Sequence, residues 1–334
     1  MICLLRQNQL PRALKMPEQT GDSGYLSDLS PKDKPWDAHR AIADTVQSLY
    51  RSAKSDRYAD RIETCGKQLE YSLNSNEAGD VAFKLQSAKF CRVRHCPVCQ
   101  WRRSLKWQAK MFEAIPKISE KYKDHRWIFV TLTVRNCDLV DLRATLAHMN
   151  TAFGRLTKLT RFPGVGWIKS VEITRNAETG QAHPHIHCLM LVENKYFGGR
   201  NYIKHDEWRS LWQRCLRCEY QPVVNIQAIK PKKNKITGES DDIGKAIVET
   251  FKYSVKESDL VADESWLVEL TCQLHQTRAI AIGGVLKPFL KEEKEDDDLI
   301  HVDESEPIIE KDEGIKLFFG WREAVKRYKK EDRQ

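Results

Sequence analysis

His183-Pro184-His185-Ile186-His187, running on through Cys188, Leu189, Met190, Leu191 and Val192, decides the fold of this 334-residue chain. The run predicts a strand over about 183–192, and on a strand alternate side chains share a face. Three imidazoles then point one way. Pro184, Ile186, Cys188, Met190 and Val192 point the other, an apolar set suited to packing on helices. Residues 166–174 read as a partner strand across the polar loop RNAETGQA, which makes a hairpin. With the loop at 175–182, antiparallel register sets Thr174 against His183, Glu172 against His185 and Ser170 against His187. Pro184 cannot donate to a ladder, which predicts an early-strand or edge position and a site at the sheet margin.

Outward from the hairpin, Arg126–Val134 (RWIFVTLTV) is β-branched and aromatic and predicts a central strand. Apolar spacings of three and four predict helices over about 36–62, 100–122, 139–159, 205–218, 242–257 and 263–276. Short strands are expected near 223–229 and 279–282, the latter ending in a Gly283-Gly284 turn. The class is α+β with a mainly antiparallel central sheet and flanking helices. Residues 1–35 read as a disordered arm, 36–122 as a helical, cysteine-rich module, 123–290 as the main domain and 291–313 as an acidic linker. Residues 314–334 read as a basic amphipathic helix.

Composition narrows the class. Hydrophobic residues at 41% against 31% charged exclude a chain disordered throughout. No apolar run reaches the roughly 18 residues of a membrane span, and the opening MICLLRQNQL is no secretory signal. A cytoplasmic location follows as the expectation, with the 10 cysteines as thiols or metal ligands. The net charge of +8 hides an asymmetry: residues 292–313 carry 12 acidic side chains and 2 lysines, leaving +18 on the rest. Such a basic body concentrates polyanions, nucleic acid above all. The acidic stretch is expected to shield it until DNA displaces the stretch.

Neutral imidazoles two apart on a strand can share one divalent ion, and a carboxylate beside them suits Mg²⁺ or Mn²⁺ while leaving positions open for a phosphate. His185, His187 and Glu172 are the expected ligands, with His183 as an alternative third. Downstream, Glu249, Tyr253 and Lys256 stand at helical spacings of four and three and would share one face. A tyrosine can attack a phosphodiester, a lysine can offset its charge and a carboxylate can activate water. Taken singly, each motif has a plain reading, a solvated polar face. Together they favour chemistry.

The combination of FVTLT (Phe129–Thr133), His185-Ile186-His187 and, 66 residues on, Glu249–Tyr253–Lys256 resembles the HUH endonucleases. More narrowly it resembles the replication initiator (Rep) proteins of small rolling-circle plasmids, in the branch with one tyrosine and a glutamate four residues before it. The resemblance spans about residues 60–290 and includes HCPVCQWRRSLKW. It implies a sheet related to RNA-recognition domains, with Tyr253 as the nicking nucleophile. Nicking would leave a 5′-phosphotyrosine and a 3′-hydroxyl primer. Glu249 would activate water in the terminating cleavage, and Lys256 would be an accessory phosphate contact. The implied partners are origin DNA, single-stranded at the nick site and duplex nearby, with a host helicase and DNA polymerase.

Cys96 and Cys99, with Cys91 and Cys65 upstream, supply four thiolates, enough for a structural Zn²⁺ site. His95 is a possible substitute, and four buried thiols without metal are the plain alternative. Arg92, Arg94, Arg102, Arg103 and Lys106, interleaved with Trp101, suit phosphate contact and base stacking. Cys215 and Cys218 read as core. No phosphate-binding GKS or GKT motif is present, so ATP hydrolysis is not expected. A deaminase would need HxE with a later PCxxC, but the Cys96–Cys99 pair comes before the histidine strand with no HxE beside it; a binuclear hydrolase would show HxHxDH, but Cys188-Leu189 follows His187. A single-tyrosine HUH transposase and a non-cleaving, zinc-containing DNA-binding regulator remain as alternatives.

Overall fold

The computed structural model describes residues 24–75, 81–229, 242–290, 299–300 and 315–332. Its helices are α1 (Leu26–Leu29), α2 (Pro35–Ser52), α3 (Asp56–Glu63), α4 (Pro97–Lys121), α5 (Leu142–Leu156), α6 (His205–Leu216), α7 (Asp242–Phe251), α8 (Glu257–Leu260) and α9 (Glu264–Leu274). Its strands are β1 (Gln68–Ser75), β2 (Val81–Ala88), β3 (His125–Thr133), β4 (Gly164–Arg175), β5 (Ala182–Glu193), β6 (Val224–Ala228), β7 (Ile280–Gly284), β8 (Ile315–Arg322) and β9 (Arg327–Glu331). They form two antiparallel sheets, ordered β2-β1-β8-β9 and β6-β3-β5-β4-β7. The α+β class with flanking helices is the expected one.

The five-stranded sheet is a middle layer. Ile186, Cys188, Met190 and Val192 on β5, with Ile128 and Val130 on β3, share a core with Met149 and Phe153 of α5, Trp212 of α6 and Leu270 of α9. On the other face Leu189, Leu191, Phe129 and Ile168 pack with Met111 and Ile118 of α4 and Ile247 and Phe251 of α7. The histidine face of β5 therefore continues into this second, smaller core. The β4–β5 register pairs Thr174 with His183, Glu172 with His185 and Ser170 with His187, as the loop length predicts.

Pro184 does not mark an edge, because β5 is the central strand. It is tolerated for a local reason. Ile173 opposite it donates its N–H away from β5, to the Ser254 carbonyl, so the Pro184 nitrogen faces the β3 side. There the last pair is Thr133 with His185, one residue short of it, and no ladder bond is lost.

The helix expected over 242–257 ends at Phe251. Beyond β7, which reaches β4 only as far as Ser170, the edge of β4 is open. Ser254 accepts from Ile173 N–H at 2.8 Å and Val255 forms a parallel bridge with Ile173, pulling the chain out of the helix. Glu249 lies on α7, Tyr253 in the non-helical segment after it and Lys256 at the start of α8, so the three do not share a helical face.

The basic helix expected over 314–334 is instead the hairpin β8–β9. Leu317, Phe319 and Trp321 alternate, and β1 supplies the partner, Leu69 opposite Phe319 and Tyr71 opposite Leu317. The helix expected over 36–62 breaks into α2 and α3. Of the 1–35 arm, residues 1–23 lie outside the described residues; Tyr25 bridges Lys329 and Leu26 is buried, so residues 24–35 are part of the body. Of the acidic linker over 291–313, only Leu299 and Ile300 are described. Trp36, Tyr50 and the four cysteines lie in the same core as the apolar face of β5, so a boundary at 122/123 does not separate two cores.

Gly284 ends β7 at φ +62°, where an added Cβ would stand 2.2 Å from the Val165 carbonyl oxygen. Gly284→Ala is therefore expected to cost about 2 kcal/mol or more, read as a lower denaturation midpoint at unchanged slope.

Candidate metal and nucleophile site

Strand pairing builds the first half of the site. Glu172 on β4 stands across from His185 and diagonal to His187, all three on one face. Glu172 Oε2 lies 2.7 Å from His187 Nε2 and 3.7 Å from His185 Nε2. These bracket the roughly 3 Å between neighbouring ligand atoms around a Mg²⁺-sized ion bound at about 2.1 Å. Thr131, opposite His187 on β3, has its hydroxyl 3.2 Å from Nδ1, which turns Nε2 toward the carboxylate. The Phe129 ring stacks on His187 with 5.6 Å between centroids.

The electrostatics suit a ligand set. Burial raises the Glu172 carboxyl, but the His187 hydrogen bond and the Lys252 ammonium outweigh it and hold the group at about 2. Burial lowers His185 to about 4, so its imidazole is neutral near pH 7. His183 packs edge-on against His185 at 4.6 Å and lies outside the group that could share one ion, which consists of Glu172, His185 and His187.

Lys252 went unread in the sequence. Its ammonium reaches Glu172 Oε2 at 3.2 Å and Glu249 Oε1 at 2.5 Å, linking the Glu172 carboxylate to α7. Burial lowers its pKa, but the two carboxylates raise it further, so the charge is retained. Lys256, by contrast, is exposed at the start of α8. Tyr253 follows Lys252 directly and lines a cleft of about 80 Å³ with Arg94, Arg103, Trp107 and Lys252. Burial, aided by the Glu257 charge, pushes its phenol well above the usual value.

The four cysteines converge. Sγ–Sγ separations of 3.6 Å join Cys65 to Cys99, Cys91 to Cys99 and Cys96 to Cys65. A tetrahedron with Zn–S bonds of about 2.3 Å has edges of roughly 3.8 Å. Backbone N–H groups of Cys91, Arg92 and Val93 donate to the sulfurs of Cys65, Cys99 and Cys91 at 3.3–3.4 Å. Hydrogen bonds from the other three thiols lower the Cys99 pKa. His95 is not in the group that could hold a metal; it is fully buried and neutral, lowered to about 3 by burial.

The residues expected to touch DNA divide. Arg102 is 6% exposed, donates to the carbonyls of Leu299 and Ile300 and lies over Trp36 and Trp101, so its guanidinium is engaged within the protein. Trp101 is half-buried, stacked on His39 at 4.8 Å. Arg94 donates to the carbonyls of Leu274 and Thr277 while lining the cleft. Arg92 and Arg103 line a second cleft with Arg57 and Arg61. Lys106 sits half-buried on α4.

A family profile described as Replication protein matches residues 82–329. Among curated relatives, a "Protein rep" of Lactiplantibacillus plantarum is 34% identical over 284 residues, 81% of this chain and 87% of its own. A "Protein rep" of a Bacillus species is 35% identical over 285 residues, 79% of this chain and 90% of its own. A "Protein rep" of Streptococcus pneumoniae is 29% identical over 307 residues, 89% of this chain and 92% of its own. No solved structure matches the chain. No helix among the described residues is long and apolar enough to cross a membrane.

Proposed function

The chain belongs to the Replication protein family, the initiators of plasmid replication, and from that membership we propose that it nicks and rejoins origin DNA through a covalent phosphotyrosine at Tyr253. The observation that carries this reading is Lys252, which ties the Glu172–His185–His187 group to Glu249 and is followed directly by Tyr253.

The tyrosine oxygen attacks the scissile phosphorus, the P–O3′ bond breaks, and its electron pair leaves on O3′, which takes up a proton. The product is a 5′-phosphotyrosine and a 3′-hydroxyl from which a host polymerase extends, with a host helicase opening the duplex ahead. Glu172, His185 and His187 would hold a Mg²⁺ or Mn²⁺ ion, which when bound supplies Lewis acidity to the phosphate oxygens. Lys252 offsets charge on the phosphate, the part the sequence assigns to Lys256. Glu249, part-exposed beside Lys252, activates water in the final cleavage, so that no second tyrosine is required. Cys65, Cys91, Cys96 and Cys99 hold a structural Zn²⁺. Arg92, Arg103 and Lys106 contact DNA, and Trp101 and Arg102 support that surface from within. Residues 36–122 supply the zinc and DNA-binding groups and 123–290 the nicking groups, the two sharing one core.

Incubation with Mn²⁺ and single-stranded oligonucleotides tiling the replicon is expected to yield one covalent adduct, and peptide mass spectrometry should find the nucleotide on Tyr253. An adduct on another residue, or none on any tile despite DNA binding, overturns the reading.

A further inference from the structure

His39 stands far from the histidine strand in sequence, on the N-terminal helix α2, yet it touches the proposed nucleophile. Its Nε2 lies 3.3 Å from the Tyr253 hydroxyl, and its Nδ1 lies 2.6 Å from Glu257 Oε1. Trp101 stacks on the ring with an interplanar angle of 24°. The imidazole side chain is 12% exposed and the Glu257 carboxyl 17%. Neither residue belongs to either metal-ligating group.

The chemistry of this chain is directional. A carboxylate only accepts, so Nδ1 donates its N–H to Glu257, which fixes the tautomer and leaves the Nε2 lone pair facing the phenol. Trp101 prevents the ring from turning away. A phenol that burial keeps protonated is a weak nucleophile, and an imidazole at its oxygen, backed by a carboxylate, is the arrangement that activates serine in hydrolytic triads.

We propose that His39 is the general base that takes the Tyr253 proton during nicking, with Glu257 as the residue that positions it. This rests on Tyr253 being the nucleophile. As the P–Oη bond forms, the phenolic proton moves to His39 Nε2, and the imidazolium is held by Glu257. The P–O3′ bond breaks and O3′ is protonated by solvent. On rejoining the steps run backward: O3′ attacks, and His39 returns the proton to the departing tyrosine oxygen. A residue of the cysteine-rich module thereby completes the nicking centre.

The test separates proton transfer from packing. His39→Ala and His39→Gln are compared with the parent, with Tyr253 also replaced by a trifluorotyrosine whose phenol is more acidic. Adduct formation is expected to fall by roughly 10²–10⁴-fold in both variants, with oligonucleotide binding and melting close to the parent in His39→Gln, which keeps a polar partner for the phenol. Trifluorotyrosine should recover at least about tenfold in either His39 variant and change the parent rate by less than about threefold. Glu257→Gln should lose about tenfold or more, again partly recovered. An equal response to trifluorotyrosine with and without His39 overturns the proposal. So does a loss fully matched by weaker DNA binding. Adduct formation that survives Tyr253→Phe overturns the nucleophile assignment instead.

Discussion

Tyr253→Phe is expected to abolish the DNA adduct and strand scission together, a loss of roughly 10⁴-fold or more, while oligonucleotide affinity stays within about threefold. The ring contributes packing, edge-on to His39 with centroids 5.8 Å apart, and phenylalanine preserves it. What is removed is the hydroxyl and its contact with His39 at 3.3 Å, a net stabilisation of about 1 kcal/mol at most. Melting should therefore move by only a few degrees. That combination, chemistry gone with fold and binding kept, distinguishes an enzyme from the non-cleaving regulator. Scission that persists in the variant would refute the assignment of Tyr253.

If Cys65, Cys91, Cys96 and Cys99 hold a structural zinc, its removal is the second large expected effect. Structural zinc is worth about 10–16 kcal/mol in free energy of binding, as much as the whole stability of a typical domain, about 5–15 kcal/mol. The purified protein is expected to carry one equivalent of zinc by elemental analysis. A strong chelator, or Cys96→Ser, should lower the melting temperature by about 10 °C or more. Cys65, Cys91, Cys96 and Cys99 share their core with Ile186 and Cys188 of β5, so nicking should fall with the melting temperature. A metal-free protein with four reactive thiols and an unchanged melting curve would establish the plain alternative of buried cysteines.

The parts legible in the sequence were those set by local rules. A period of two on β4 and β5 and a loop of known length give the register, and the register alone brings Glu172 to His185 and His187. The grouping of Cys65, Cys91, Cys96 and Cys99 follows from spacing and residue type. What escaped depends on distant chain. β8 finds its strand partner in β1, Lys316 meeting Glu70 across 246 residues, and nothing within GIKLFFGWREAVKRYKK announces that edge. Helical spacing cannot foresee the bridge from Val255 to Ile173 that ends α7 at Phe251, so Lys252 rather than Lys256 comes within reach of Glu172. A basic run carries no sign of which members turn inward, as Arg102 does. His39 had no signal at all, being a single histidine on an amphipathic helix whose hydrogen-bond partners lie more than 200 residues away.

The sheet β2-β1-β8-β9 also has a consequence in time. A ribosome releases β1 and β2 as a lone hairpin, a form that is marginal in water by itself. The strand that flanks β1 on its other side emerges only after the histidines, the tyrosine and the acidic stretch have been made. At about 5–20 residues per second that wait lasts roughly 12–50 s. Nascent chains therefore carry Glu172, His185, His187 and Tyr253 before the sheet beside α2 and His39 is closed, and a message broken short of residue 315 yields a chain that lacks the strand β1 pairs with on that side.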